Sequence, residues 1–339
     1  MQFNLCNLLY FVIVYNFLFA ENNRLMSLFE TTDGSVGVTD YNNQGGELGF
    51  LSSGAHMWTK YGMSPGAIAV AASSDGTKIF ATKKNCEGML RSTDSGATWT
   101  SQDFDSGYCY SSIASSSNGM TVMSIGYWGL IISTDGGETW NKPTTPPSED
   151  ESIVSQNAQG VVAMSSDGTK AVITTGLEAH GISMTHFGNE DLMFPGDFPL
   201  GHIHTSSDSG STWAITSAPA ARWMSVASSL DGLKLAAVVW SGGIYVSTNR
   251  GGTWTLTSAT TQKWSAIASS SDGSRLTATV YNGGIYYSTN GGTSWNQLSS
   301  APSKTWSRVA SSADGSELAA LGDAHLYVSY DSGASWTRY

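Results

Sequence analysis

The chain has 339 residues, a length that suits one large domain or two ordinary ones. Charged residues make up only 13%, whereas Gly numbers 38, Trp 12 and Tyr 14, and this excludes a disordered chain because the aromatics can bury ample apolar surface. The formal net charge of -11 argues against a nucleic-acid partner, since a phosphate backbone would be repelled.

The first element is an apolar run from Leu5 to Ala20, followed at once by Glu21, Asn22 and Asn23. Residues 1–20 read as a signal peptide cleaved after Ala20, which makes the protein secreted; an uncleaved N-terminal tether is the alternative. No other segment is apolar enough to cross a bilayer, so no membrane contact is expected beyond this one. Cys6 lies in the leader, and export leaves Cys86 and Cys109, an even pair that suggests one disulfide. No Asn-x-Ser/Thr sequon occurs, so N-glycosylation is not expected.

From residue 21 onward the sequence repeats. Unit one has an Asp33-Gly turn and a degenerate segment ending in Trp58. Unit two has Asp75-Gly and then Ser92-Thr-Asp94-Ser-Gly-Ala-Thr-Trp99, and unit three has Asn118-Gly and Ser133-Thr-Asp135-Gly-Gly-Glu-Thr-Trp140. Unit four has Asp167-Gly, an insertion over residues 176–204, and Ser206-Ser-Asp208-Ser-Gly-Ser-Thr-Trp213. Units five, six and seven have Asp231-Gly, Asp272-Gly and Asp314-Gly, each followed by a segment of the same kind centred on Asn249, Asn290 and Asp331 and closed by Trp254, Trp295 and Trp336. Outside the insertion, the tryptophans recur at a step of 41 residues. Each unit holds four short runs of β-branched and aromatic residues separated by turn dipeptides, and no helical period of any length is visible. Four antiparallel strands in each of seven units of about forty residues predict an all-β, seven-bladed β-propeller occupying residues 21–339 as one domain.

The turn chemistry follows from the residue types. Asp or Asn accepts hydrogen bonds from backbone N–H groups two residues on, Gly two positions later permits a positive φ, and the closing Trp packs beneath the turn. Each such Trp removes roughly 150–250 Å² from water, a gross gain of about 4–6 kcal/mol. Asp94, Asp135, Asp208, Asn249, Asn290 and Asp331 are therefore structural, because a residue present in every blade does what every blade needs.

The Ser/Thr-x-Asp-x-Gly-x-x-Trp segments resemble the Asp-box, or bacterial neuraminidase repeat, of the sialidase-like propellers, and the resemblance covers residues 22–339. It implies a propeller fold, while that superfamily includes sialidases, glucan-cleaving hydrolases, receptors, an assembly factor and sugar-binding proteins, so it implies little about function. In such propellers the boxes mark one face and ligands usually lie on the other. The repeat register puts Cys86 and Cys109 on that opposite face in adjacent blades. It also puts Trp128, Trp240 and Tyr281 in turns there, and Trp264, Trp306 and His325 near them; flat aromatics on a polar face suit stacking against sugar rings. The insertion carries His180, His186, His202 and His204, a set able to hold zinc or copper, or to contact a partner without metal.

The arginine triad of a sialidase is not assembled: Arg250 and Arg275 fall on the box face, and Arg91, Arg222 and Arg308 do not converge by register. A paired-carboxylate hydrolase or a lyase stays open as an alternative, with Glu47, Glu87, Glu178, Asp197 and Asp323 in suitable loops but marked by no motif. Only one blade is elaborated, which favours a monomeric, non-catalytic binding module for carbohydrate or an extracellular protein. The ring is expected to close by packing of unit one on unit seven, without exchange of a strand.

Overall fold

The computed structural model describes the backbone of residues 25–30, 36–41, 46–51, 58–63 and 67–68, and residues 69–83, 88–102, 110–126, 129–143, 160–175, 200–323 and 325–338 with their side chains. Among the described residues every regular element is a strand, and each repeat of the sequence folds into an antiparallel meander. Unit one comprises β1 (Leu25–Glu30), β2 (Val36–Tyr41), β3 (Gly46–Leu51) and β4 (Trp58–Met63). Unit two comprises β5 (Ala67–Ala72), β6 (Ile79–Lys83), β7 (Met89–Ser92) and β8 (Thr100–Gln102). Unit three has β9 (Tyr110–Ser115), β10 (Val122–Gly126) and β11 (Gly129–Ser133), with a single bridge from Ile132 to Asn141 in place of a fourth strand. Unit four has β12 (Val162–Met164), β13 (Ala171–Thr174), β14 (Ile203–Ser206) and β15 (Ala214–Ile215). Unit five has β16 (Trp223–Ser228), β17 (Leu235–Gly242), β18 (Ile244–Ser247) and β19 (Thr255–Leu256). Unit six has β20 (Gln262–Ser269), β21 (Leu276–Val280), β22 (Ile285–Ser288) and β23 (Asn296–Gln297). Unit seven has β24 (Trp306–Ser311), β25 (Leu318–Gly322), β26 (His325–Ser329) and β27 (Thr337–Arg338).

The first strands touch in succession, from β1 to β5, β9, β12, β16, β20 and β24, and β24 in turn meets β1. Sheets stacked around a common axis in this way form a β-propeller. Stacking buries both faces of the inner strands: β10, β21 and β25 are buried along their whole length, whereas β15, β19, β23 and β27 are exposed. Small side chains on the innermost strands, such as Ala69, Ser112, Ser225, Ala266 and Ala268, let the sheets converge toward the axis. Apolar clusters then fill the gaps between units, as where Val309, Leu318 and Ala320 of unit seven pack on Ala266, Ala268 and Ile285 of unit six.

The box turns are self-contained. In unit three, Thr139 donates to the Asp135 carboxylate through its N–H at 2.9 Å and its hydroxyl at 2.5 Å, Ser133 donates its hydroxyl at 2.7 Å, and the Gly137 N–H caps Ser133 Oγ at 2.7 Å. The backbone and serine bonds of this set recur at Asp94, Asp208, Asn249, Asn290 and Asp331, but at the two asparagines the side-chain bond is reversed, with Asn249 Nδ2 donating to Thr253 Oγ1 and Asn290 Nδ2 to Ser294 Oγ. The donor is the N–H four residues on, not two as the turn chemistry predicts. The two-residue form belongs to the Asp-Gly turns, where the Thr77 N–H reaches Asp75 at 3.0 Å. The reason is that the box bends through two successive left-handed residues, such as Ser95 (φ 59) and Gly96 (φ 86), which lengthens the loop the carboxylate must span.

At the Asp-Gly turns, neighbouring units are joined by a belt of backbone bonds. The Ser74 N–H donates to the Ser117 carbonyl at 2.6 Å and the Ser117 N–H to Ser166 at 2.7 Å. Ser166 then donates to Leu230, Leu230 to Ser271, and Ser271 to Ala313, each at 2.8 Å.

Candidate functional site

In each unit with described turns, the box turn is hydrogen-bonded to the Asp-Gly turn of its own unit. Examples are the Ser95 N–H to Thr77, Arg250 to Leu233 and Ser332 to Ser316. Both kinds of turn therefore share one face, as the repeat register predicts, and the second-to-third turns and inter-unit links share the other. Among the residues described with their side chains, Asp323 is the one carboxylate on that second face; the others sit at box or Asp-Gly turns.

The opposite face is best defined in units five to seven. The second-to-third turn of unit five is sewn to the link leading into unit six, where Trp240 pairs with Lys263 and Gly242 with Gln262. A bridge from Gly283 to Lys304 does the same between units six and seven. The turn residues Ser241 (φ 53), Asn282 (φ 53) and Asp323 (φ 47) all hold left-handed backbone without being glycine, a cost of order 1–3 kcal/mol each where the surroundings enforce it.

On this frame Trp240 and Tyr281 form a tilted pair with ring centroids 5.3 Å apart, and Lys263 Nζ lies 5.9 Å from the Trp240 ring. Beside them Thr305 donates its hydroxyl to Asn282 Oδ1 at 2.6 Å and its N–H to Asp323 Oδ1 at 2.9 Å. Lys304 Nζ is 2.8 Å from Asp323 Oδ2, and His325 Nδ1 lies 2.6 Å from the Asp323 carbonyl. Burial pushes the Asp323 carboxyl up, but the Lys304 ammonium and the Thr305 N–H outweigh it and hold the carboxyl below its usual range. Asp323 in turn holds the Lys304 ammonium above its usual range. The arrangement offers rigid hydrogen-bonding groups next to an aromatic surface, and its members come from three turns and two links of three successive units.

The other sequence-derived site residues fall in several places. Trp264 and Trp306 are 0% exposed, so neither presents a face to a ligand. Each instead fills its own unit: Trp264 lies 5.2 Å from Tyr286 and 6.4 Å from Trp295, and Trp306 lies 5.0 Å from Tyr327 and 6.4 Å from Trp336. These stacks tie the innermost strand to the box tryptophan. Trp240 is also buried, at 7% exposed, beneath Tyr281 and Lys263. Tyr281 and His325 remain partly exposed on the opposite face, while Trp128 lies outside the described residues.

His204 is buried in β14 and His202 is partly exposed, with ring centroids 6.5 Å apart. His180, His186, Cys86 and Cys109 lie outside the described residues, and among the described residues no three His, Cys, Asp or Glu side chains gather. Of the arginines, Arg91 is tied to Glu138 at 2.8 Å, Arg275 donates to Ser332 at 3.2 Å, and Arg308 is buried. Sequence reading missed Asn282, Thr305 and Lys304. Their signal was present in the unit-specific Asn-Gly-Gly turn and in the Lys-Thr dipeptide before Trp306.

No protein-family model matches the chain, and no curated protein matches it in sequence. Solved structures do match it in shape. A structure of YCF48 from Cyanidioschyzon merolae is 12% identical, covers 94% of this chain and 98% of its own, and superposes with a TM-score of 0.63. YCF48 bound to D1 peptide is 17% identical, with 79% of each chain covered and a TM-score of 0.55. An ancestral GH74 enzyme is 17% identical with a TM-score of 0.56 over 80% of this chain, which spans 37% of that one. Likeness at this level of identity speaks to architecture alone, and the chain is a β-propeller.

Proposed function

We propose that the chain is a seven-bladed Asp-box propeller of the sialidase-like kind, exported by its leader, that acts as a non-catalytic binding module for carbohydrate on the face opposite the boxes. The observation that carries this reading is the contrast between faces. The box turns repeat one hydrogen-bond set from unit to unit, whereas the opposite turns differ in chemistry while their backbones are locked together. A rigid surface that varies between otherwise similar blades suits recognition, because little ordering entropy is lost on binding. Tyr281, backed by Trp240, supplies apolar area for a sugar face, and Asn282, Asp323 and His325 supply groups for sugar hydroxyls. The Cys86–Cys109 disulfide and a zinc or copper ion held by His180, His186, His202 and His204 are further parts of this proposal.

The test is a glycan array with the exported chain, run with and without a chelator. Binding that weakens about tenfold in Asn282→Gly, with little change in melting temperature, supports the reading, and loss with the chelator adds the metal. Failure to bind any glycan, with capture of a peptide by the same face, would replace it with a protein-interaction scaffold.

A further inference from the structure

In units six and seven the acceptors of the opposite face are engaged within the protein. Asn282 Oδ1 takes the Thr305 hydroxyl at 2.6 Å, Asp323 Oδ1 takes the Thr305 N–H at 2.9 Å, and Asp323 Oδ2 takes Lys304 Nζ at 2.8 Å. The Asp323 backbone carbonyl is engaged as well. His325 Nδ1 lies 2.6 Å from it, and since a carbonyl only accepts, that nitrogen carries the ring hydrogen. With Lys304 at its side, Asp323 adds no net charge to the face.

The donors are not used up in the same way. With Oδ1 held by Thr305, both amide hydrogens of Asn282 are left without an acceptor among the described residues, on a side chain exposed at a left-handed turn. Lys263 is exposed too, and its ammonium has the Trp240 ring 5.9 Å away and no carboxylate partner among the described residues. An aromatic face attracts a cation without taking its hydrogens, so the ammonium keeps its donors. Tyr281 ties the two groups together: its N–H donates to the Lys263 carbonyl at 2.8 Å, and Asn282 follows it directly. Its ring pairs with that of Trp240, over which Lys263 lies.

A surface with engaged acceptors and open donors favours a ligand that accepts, and an ammonium without a carboxylate favours one that is charged. A sugar hydroxyl both donates and accepts, whereas a carboxylate or sulfate oxygen only accepts. The chain as a whole carries -11 and repels anions. Among the residues described with their side chains, however, every carboxylate except Asp323 lies on the box face. Resting on the carbohydrate reading above, we propose that Lys263 and Asn282, beside Tyr281, form a subsite for an anionic sugar. The sugar face lies on the Tyr281 ring, and Lys263 Nζ and Asn282 Nδ2 hold a carboxylate or sulfate group.

The test is calorimetric titration of the full chain with two polymer pairs, polygalacturonate against its methyl ester and dextran sulfate against dextran, in about 0.15 M salt. In at least one pair the charged member is expected to bind about tenfold tighter or more than its neutral counterpart, and the pair that shows it identifies the anion. Lys263→Gln and Asn282→Asp, each checked for an unchanged melting temperature, are expected to remove most of that ratio while the neutral member's affinity stays within about twofold. Lys234→Gln takes the same charge from the box face and is expected to leave the ratio as it is. A ratio that falls equally in that variant reports attraction by bulk charge and overturns the subsite. Equal binding within both pairs, or no binding of either charged polymer, overturns it too, and the carbohydrate reading then stands on its own glycan array. An array that is blank as well overturns both.

Discussion

The two faces of the ring are made by the same strands, yet their turns behave differently. On the box face, each Asp or Asn spends its hydrogen-bonding capacity on its own turn, as Asp135 does with Thr139 and Ser133. On the opposite face, side chains reach across units: Thr305 of unit seven bonds Asn282 of unit six, and Lys263 of unit six lies over Trp240 of unit five. The first pattern stabilises each turn from within, although the Arg91–Glu138 pair and the Arg275–Ser332 bond also cross between units on that face. The second makes a continuous surface, and a change in one unit alters what the next presents. Repetition therefore marks structure here, and departure from it marks the surface available for function.

That contrast can be broken from the box side with the largest effect. Deleting residues 330–339 removes the last box and β27, stripping Trp336 from Trp306, and is expected to lower the melting temperature by about 10 °C or more. Calorimetry that finds an unchanged melt would show that unit seven does not need its outer strand. Next in size, Trp264→Ala is expected to cost ~3–5 kcal/mol in denaturant unfolding, because the ring is 0% exposed and touches both Tyr286 and Trp295. A stable variant with weakened ligand binding would instead return Trp264 to the recognition surface.

Acid sharpens the contrast further. The Asp135 carboxyl is drawn down to about 2, chiefly by the Thr139 hydroxyl and N–H. Asp167 and Asp272 also lie at about 2, where hydrogen bonds outweigh the upward push of burial. A carboxyl held below its unfolded value of 3.8 adds stability above that value and loses it as pH falls through the folded one. Stability is thus expected to fall between about pH 4 and about pH 2. Asn249 and Asn290 already hold the Asp135 position in units five and six. In Asp135→Asn that slope should therefore become shallower with little change at neutral pH, as circular dichroism against pH will read. The smallest effect on stability is expected from the other face. Asn282→Gly keeps the left-handed turn and removes the amide, so melting should shift by no more than about 2 °C while ligand binding weakens about tenfold.

The period of the boxes made the turns legible, down to the degenerate unit ending in Trp58, which does open β4. Faces were legible too, because strand order within a repeat fixes which turns share a side. Exposure was not legible. Trp264 lies near the start of β20 beside the opposite face, and only its burial beneath Tyr286 and Trp295 shows it to be interior. Contacts between units were equally hidden, since Asn282 and Thr305 meet through a link whose path depends on the Gly283–Lys304 bridge. The arginine at position 308 was legible, since Trp306-Ser-Arg308 aligns with Trp264-Ser-Ala266, but its burial was not.

The belt of bonds from Ser74 to Ala313 runs between backbone groups, with the Ser271 hydroxyl adding a second bond to the Ala313 carbonyl at its last step. Its positions are filled by serine in four units, by Leu230 in one and by Ala313 in another, with bond lengths between 2.6 and 2.8 Å throughout. A newly duplicated repeat would therefore arrive already able to join its neighbours, before any of its residues had adapted to them. Gene duplication could lengthen or renew such a ring without passing through an unfolded intermediate form. The shared pattern of units five, six and seven, with Trp254, Trp295 and Trp336 at one spacing, is what that route would leave behind.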